Sequence, residues 1–64
     1  MDNYFLLKQA IGAKPKEVET IHFGSQDDCQ AKLNELKSRN LIDDAIDIYF
    51  IESATAYNIR MVTN

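Results

Sequence analysis

The sequence predicts an α+β fold: a single domain over residues 1–64, of order β-β-α-β-β, with a four-stranded antiparallel sheet and one helix packed on one face. Three observations predict it. Only the stretch after Gly24 places apolar residues at helical spacing behind a cap signal, whereas four other stretches alternate with a period of two. The connections between them are short and rich in turn residues. Several strands also carry apolar residues on both faces, and one short helix covers only one face of a sheet.

The first strand spans residues 3–11, with Phe5, Leu7 and Ile11 on one face and Tyr4, Leu6, Lys8 and Ala10 on the other. Gly12 and Pro15 mark the loop that follows, because Pro15 lacks the N–H a central strand needs. The second strand covers 17–23. Val18 is out of phase with Ile21 and Phe23, a misfit that a β-bulge or a later start of pairing resolves. Ser25 then reads as a helix N-cap with Asp28 at the capping-box position, and Asp27 and Asp28 suit the positive end of the helix dipole. Asp28–Lys32 and Glu35–Arg39 are spaced for ion pairs along the helix. Cys29, Leu33 and Leu36 form its inward stripe, and Asn40 stops it.

Leu41 and Ile42 anchor the turn beneath the helix, and Asp43 and Asp44 lead into a third strand over 45–52. There Ile46, Ile48 and Phe50 alternate with Asp47, Tyr49 and Ile51. Residues 53–56 read as a short connection to a last strand over 57–62 or 57–63, with Tyr57, Ile59 and Met61 facing inward. Joining the faces puts Phe5, Leu7, Ile11, Ile21, Phe23, Ile46, Ile48, Phe50, Ile59 and Met61 beneath the helix. Tyr4, Leu6, Tyr49, Ile51 and Val62 are left as an apolar open face.

A chain of 64 residues buries roughly 60% of its unfolded surface, so it needs support beyond a thin core. A lone Cys29 forms no internal disulfide, and one cysteine with one histidine falls short of a structural zinc site. Oligomerisation is the remaining support. No apolar run is long enough to span a membrane, Asp2 sits where a signal peptide carries positive charge, and the unpaired thiol suits the cytoplasm. Ten acidic against seven basic residues give a net charge of −3, which opposes general attraction to nucleic acid.

Signals for chemistry are sparse. His22 is the one candidate general base and reads better as a half-exposed strand residue pointing away from the helix. Cys29 lies near a helix N-terminus, where a thiol is activated, yet its inward position suits an inert core residue. Asp43, Asp44 and Asp47 lack the alternation and central glycine of a calcium loop. Gly12 and Gly24 are too isolated to cradle phosphate, so no cofactor, metal or small-molecule substrate is implied.

The expectation is therefore a non-enzymatic protein-binding module, a homodimer through the open face or an edge strand, with Tyr4, Leu6, Tyr49, Ile51 and Val62 at the contact. The alternative is single-stranded nucleic acid on the same face, held by Lys8, His22 and Arg60 among the tyrosines. In size, acidity and helix-on-sheet outline the chain resembles small proteins of bacteriophages and mobile elements, some anti-CRISPR inhibitors among them. That likeness implies an accessory protein that binds a larger machine and assigns no residue a role.

Overall fold

The central strand of the computed structural model, which describes residues 3–62, is β1 (Tyr4–Ala10). It is flanked by β2 (Glu19–Gly24) and β3 (Asp47–Ser53) in an antiparallel sheet of order β2-β1-β3. Helix α1 (Gln26–Ser38) follows β2, and helix α2 (Ala54–Val62) follows β3. The expected four-stranded sheet with one helix is thus corrected to three strands and two helices.

The segment read as a fourth strand is α2, and its capping explains why. The Ser53 hydroxyl accepts the Ala56 N–H at 3.1 Å, so the supposed connection is a helix start. Two alanines in the first turn favour helix. Burial follows the helical period: residues 53, 54, 56, 57, 60 and 61 are half-buried, whereas Thr55, Asn58, Ile59 and Val62 are exposed. The alternation of Tyr57, Ile59 and Met61 imitates a strand over that short stretch, but Ile59 points outward. The expected extension to Thr63 lies outside the described residues.

Helix α1 forms where its signals place it. Ser25 accepts the Asp28 N–H at 3.0 Å, and the Asp28 carboxylate accepts the Ser25 N–H at 3.5 Å, closing the capping box. At the far end Asn40 takes a left-handed conformation (φ 55°). The Leu41 N–H returns to the Leu36 carbonyl (3.0 Å) and the Asn40 N–H to that of Lys37 (3.1 Å), a Schellman stop. Ile42 packs on the core beneath, whereas Leu41 is exposed. The expected Asp28–Lys32 pair is replaced: Asp28 serves the cap, and Lys32 pairs with Glu35 at 3.1 Å. Glu35 also meets Arg39 at 3.7 Å. The hydrogen bond from Lys32 holds the Glu35 carboxyl below its usual range.

In β1 and β3 the alternation holds but the face given to α1 is inverted, and in β2 Ile21 and Phe23, expected on one face, lie on opposite ones. Leu6, Cys29 and Leu33 form the buried cluster under α1, with Tyr4, Ile21, Leu36, Ile42, Tyr49 and Ile51 packed against it. Phe5, Leu7 and Phe50 lie on the opposite face, where Phe5 stacks on Tyr57 of α2 at 4.3 Å. Each face thus buries one leucine completely, Leu6 beneath α1 and Leu7 on the α2 side. Val18 lies before β2, so the later start of pairing removes its phase misfit, and a bulge at Ile21 splits the face expected for Ile21 and Phe23. Leu6 pairs with His22 but Leu7 with Thr20, and the extra residue lets Ile21 turn under α1 while Phe23 meets Phe5 at 4.7 Å on the other side.

Helix α2 is too short to cover its face. Ile11, Phe23, Ile46 and Ile48 all lie on that side of the sheet and remain half-exposed or more. The apolar residues left exposed on this side are therefore Ile11, Phe23, Ile46 and Ile48, in place of the Tyr4, Leu6, Tyr49 and Ile51 expected on an open face.

Candidate functional site

The free edge of β3 is the site this fold constructs, and its hydrogen-bonding groups follow from register. At one end the Ala54 N–H meets the Asn3 carbonyl at 2.9 Å, and at the other the Ile11 N–H meets the Ile46 carbonyl at 2.9 Å. Both pairs continue the ladder that runs from Tyr4↔Ser53 to Ala10↔Asp47. Hydrogen-bonded pairs alternate in an antiparallel ladder, so Ile48, Phe50 and Glu52 direct their main-chain groups to β1. Asp47, Tyr49, Ile51 and Ser53 direct theirs outward, where no strand lies among the described residues.

Two of those outward groups are already engaged. The Asp47 N–H donates to the Asp43 carbonyl at 3.0 Å. Ser53 is the N-cap of α2, its hydroxyl accepting the Ala56 N–H, and the carbonyl of an N-cap residue is taken up by the first bond of its helix. What remains is the carbonyl of Asp47, both groups of Tyr49 and Ile51, and the N–H of Ser53.

Sheet edges are commonly guarded by lysine, proline or a bulge. The β2 edge carries a bulge. β3 has no bulge, lysine or proline along its seven residues. Its Glu52 charge is neutralised instead of guarding the edge: Arg60 donates to both carboxylate oxygens, at 2.8 and 3.0 Å. The Arg60 side chain also reaches the Pro15 carbonyl at 3.3 Å, and its guanidinium lies 5.2 Å from the Phe50 ring centre. The Glu52 partner strengthens the hold of Arg60 on its proton. This pair was not legible as a sequence motif, because it joins a strand to a helix that the alternation hid.

The expected contact residues are distributed differently. Leu6 is 0% exposed, and Tyr4, Tyr49 and Ile51 pack beside it under α1, so these four form core and not an open face. Val62 stands apart on α2, 77% exposed. The basic residues do not converge. Lys8 pairs with Glu19 across the sheet at 3.6 Å, and His22 sits on the α1 side, not away from the helix as expected. Arg60 lies on the opposite face. His22 borders an open groove with Asp28, Ala31, Lys32 and Glu35, in which Asp28 serves the cap and Lys32 pairs with Glu35. Among the described residues no group of acidic, histidine or cysteine side chains is arranged to hold a metal, and no helix is long and apolar enough to cross a membrane.

Cys29 is fully buried, its Sγ donating to the Tyr4 carbonyl at 3.5 Å. Burial, with the Asp28 charge adding to it, pushes the thiol above its ordinary range. The native pKa is raised above the unfolded value. The thiol's stabilising effect is therefore complete below about pH 8.5 and declines as pH rises through the native pKa. Alkylation of native Cys29 is expected to proceed only as fast as the chain opens, and to accelerate with urea. Labelling in native buffer at the rate of a free thiol contradicts this placement.

Among the described residues the fold is a small α+β unit whose sheet has two outer edges, that of β2 bulged and that of β3 regular. Compared with protein-family models, curated proteins and solved structures, the chain matches none.

Proposed function

We propose that the chain is a non-enzymatic protein-binding module that takes up an extended segment as an added strand along β3. The observation that supports this most is a regular edge whose main-chain groups point outward while its one glutamate is neutralised by Arg60. Tyr49 and Ile51 on one flank, and Ile48 on the other, offer apolar contacts for alternate side chains of an incoming strand. A core in which, among the described residues, only Leu6, Leu7, Cys29 and Leu33 are buried also gains from any partner that binds the folded state. A buried thiol without a second cysteine suits a reducing compartment such as the cytoplasm. An accessory role on a larger protein assembly fits its size.

The test isolates the backbone from the side chains. A 64-residue chain is accessible by chemical ligation, so the Ile51 amide can be N-methylated with every side chain kept. The outward N–H is spared by the fold, and its loss leaves the ladder to β1 intact. Octapeptides selected from a random display library on the normal chain are expected to lose at least about tenfold in affinity for the methylated chain. A selection in which no peptide distinguishes the two chains refutes the edge reading.

A further inference from the structure

We propose that the segment completing this edge is β3 of a second copy, paired antiparallel about Phe50; the inference rests on the edge reading above. The free groups of β3 are complementary to themselves in one register. With Phe50 opposite the second copy's Phe50, Tyr49 faces the second copy's Ile51, and each such pair exchanges two bonds. Asp47 then faces Ser53, and the one free group of each, a carbonyl and an N–H, meet. The self-paired edge satisfies every outward group that remains, about six bonds in all. Sliding the pairing by two residues either way opposes a free group to the engaged Asp47 N–H or Ser53 carbonyl and leaves others unpaired. A slide by a single residue brings inward-directed groups to the interface.

The side chains agree with this register. On the α1 face Tyr49 lies beside Ile51, an aromatic and β-branched pair of the kind that stabilises sheets. On the other face the two Phe50 rings meet at a non-hydrogen-bonded position, where side chains are closest. No acidic residue of this −3 chain faces another: Asp47 meets Ser53, and Glu52, already held by Arg60, meets Ile48. The half-exposed Ile48 is thereby brought to the interface. Both helices rest on the faces of the sheet, α1 over Leu6 of the central strand and α2 with Tyr57 over Phe5. The two sheets become one, with a two-fold axis at Phe50, and the contact is isologous and closed.

The experiment uses the unaltered full chain. Sedimentation equilibrium across about 1–500 μM is expected to show the mass rising from 7.3 kDa to twice that value, as suits a small interface. In a mixture of isotope-labelled and unlabelled chains, an isotope-filtered NOE should join the Phe50 Hα protons of different chains. A single-chain mass throughout overturns the second copy while leaving the edge to the peptide selection. A doubled mass with inter-chain contacts away from Phe50 also overturns it. Failure of both experiments removes the edge itself.

Discussion

Leu6→Ala is expected to cost about 2–5 kcal/mol, against a total of about 3–10 kcal/mol for a chain of this length. Leu6 is completely buried in the central strand, between β2 and β3 and beneath Cys29 and Leu33 of α1. Removing its isopropyl group leaves a cavity that three strands and a helix would have to close together. A core with so few enclosed residues has little else to repack. Thermal or urea unfolding followed by far-UV circular dichroism should show a much lower midpoint, or a chain already unfolded at room temperature. Val62→Ala provides the contrast: Val62 is exposed on the last turn of α2 and its truncation should change stability by less than about 0.5 kcal/mol. The comparison discriminates sharply, because the sequence alone places Leu6 and Val62 on the same open face. An unchanged midpoint for Leu6→Ala would return Leu6 to the surface.

That contrast shows what alternation can and cannot specify. Period two separates Phe5 and Leu7 from Tyr4 and Leu6 correctly, since neighbouring strand residues must point to opposite sides. It contains nothing about which side receives a helix when both are apolar. The choice falls to tertiary packing: Cys29 and Leu33 settle over Leu6, and Tyr57 settles over Phe5. Helix α1 was legible because its signals are local and agree, from the Ser25–Asp28 box to the left-handed Asn40. Helix α2 was not, because nine residues contain too few turns for a 3.6-residue period to stand out from a period of two. The overlooked signal was Ser53 followed by alanine, a cap before a good helix former.

The candidate edge was legible only in part. An edge strand was among the expected modes of contact, and Tyr49 and Ile51 were singled out, but for side chains on an open face. They prove to support the site through the groups every residue shares, the outward N–H and C=O, while their side chains lean on the core. Strand order makes β3 an edge, and strand order depends on long-range pairing that composition does not encode. The Glu52–Arg60 pair follows the same logic: its partners lie eight residues apart and meet only once α2 folds back across the sheet.

Phe5→Ala is the second large effect, and it acts on the other side of the sheet. The Phe5 ring stacks on Tyr57 (centroids 4.3 Å apart, planes at 29°) and tilts against Phe23 at 4.7 Å. It is the link between β1, β2 and α2, yet it is only half-buried, so a cost of about 2–4 kcal/mol is expected, below that of a fully enclosed phenylalanine. The loss should fall first on α2, whose other attachments include the Ala54 N–H on the Asn3 carbonyl and Arg60 on Glu52, Phe50 and the Pro15 carbonyl. Amide exchange should therefore quicken along α2 while α1, resting on Leu6, keeps its protection. A double-mutant cycle with Tyr57→Ala should return a coupling of about 0.5–1.5 kcal/mol for the stacked pair. Strict additivity would mean that the two rings are neighbours without holding the helix. The same variant reaches the β3 edge indirectly. As α2 loosens, Arg60 leaves Glu52, a bare carboxylate returns to the strand, and dimer formation should weaken together with α2 protection. If α2 protection falls while self-association is unchanged, Arg60 has no part in keeping the edge receptive.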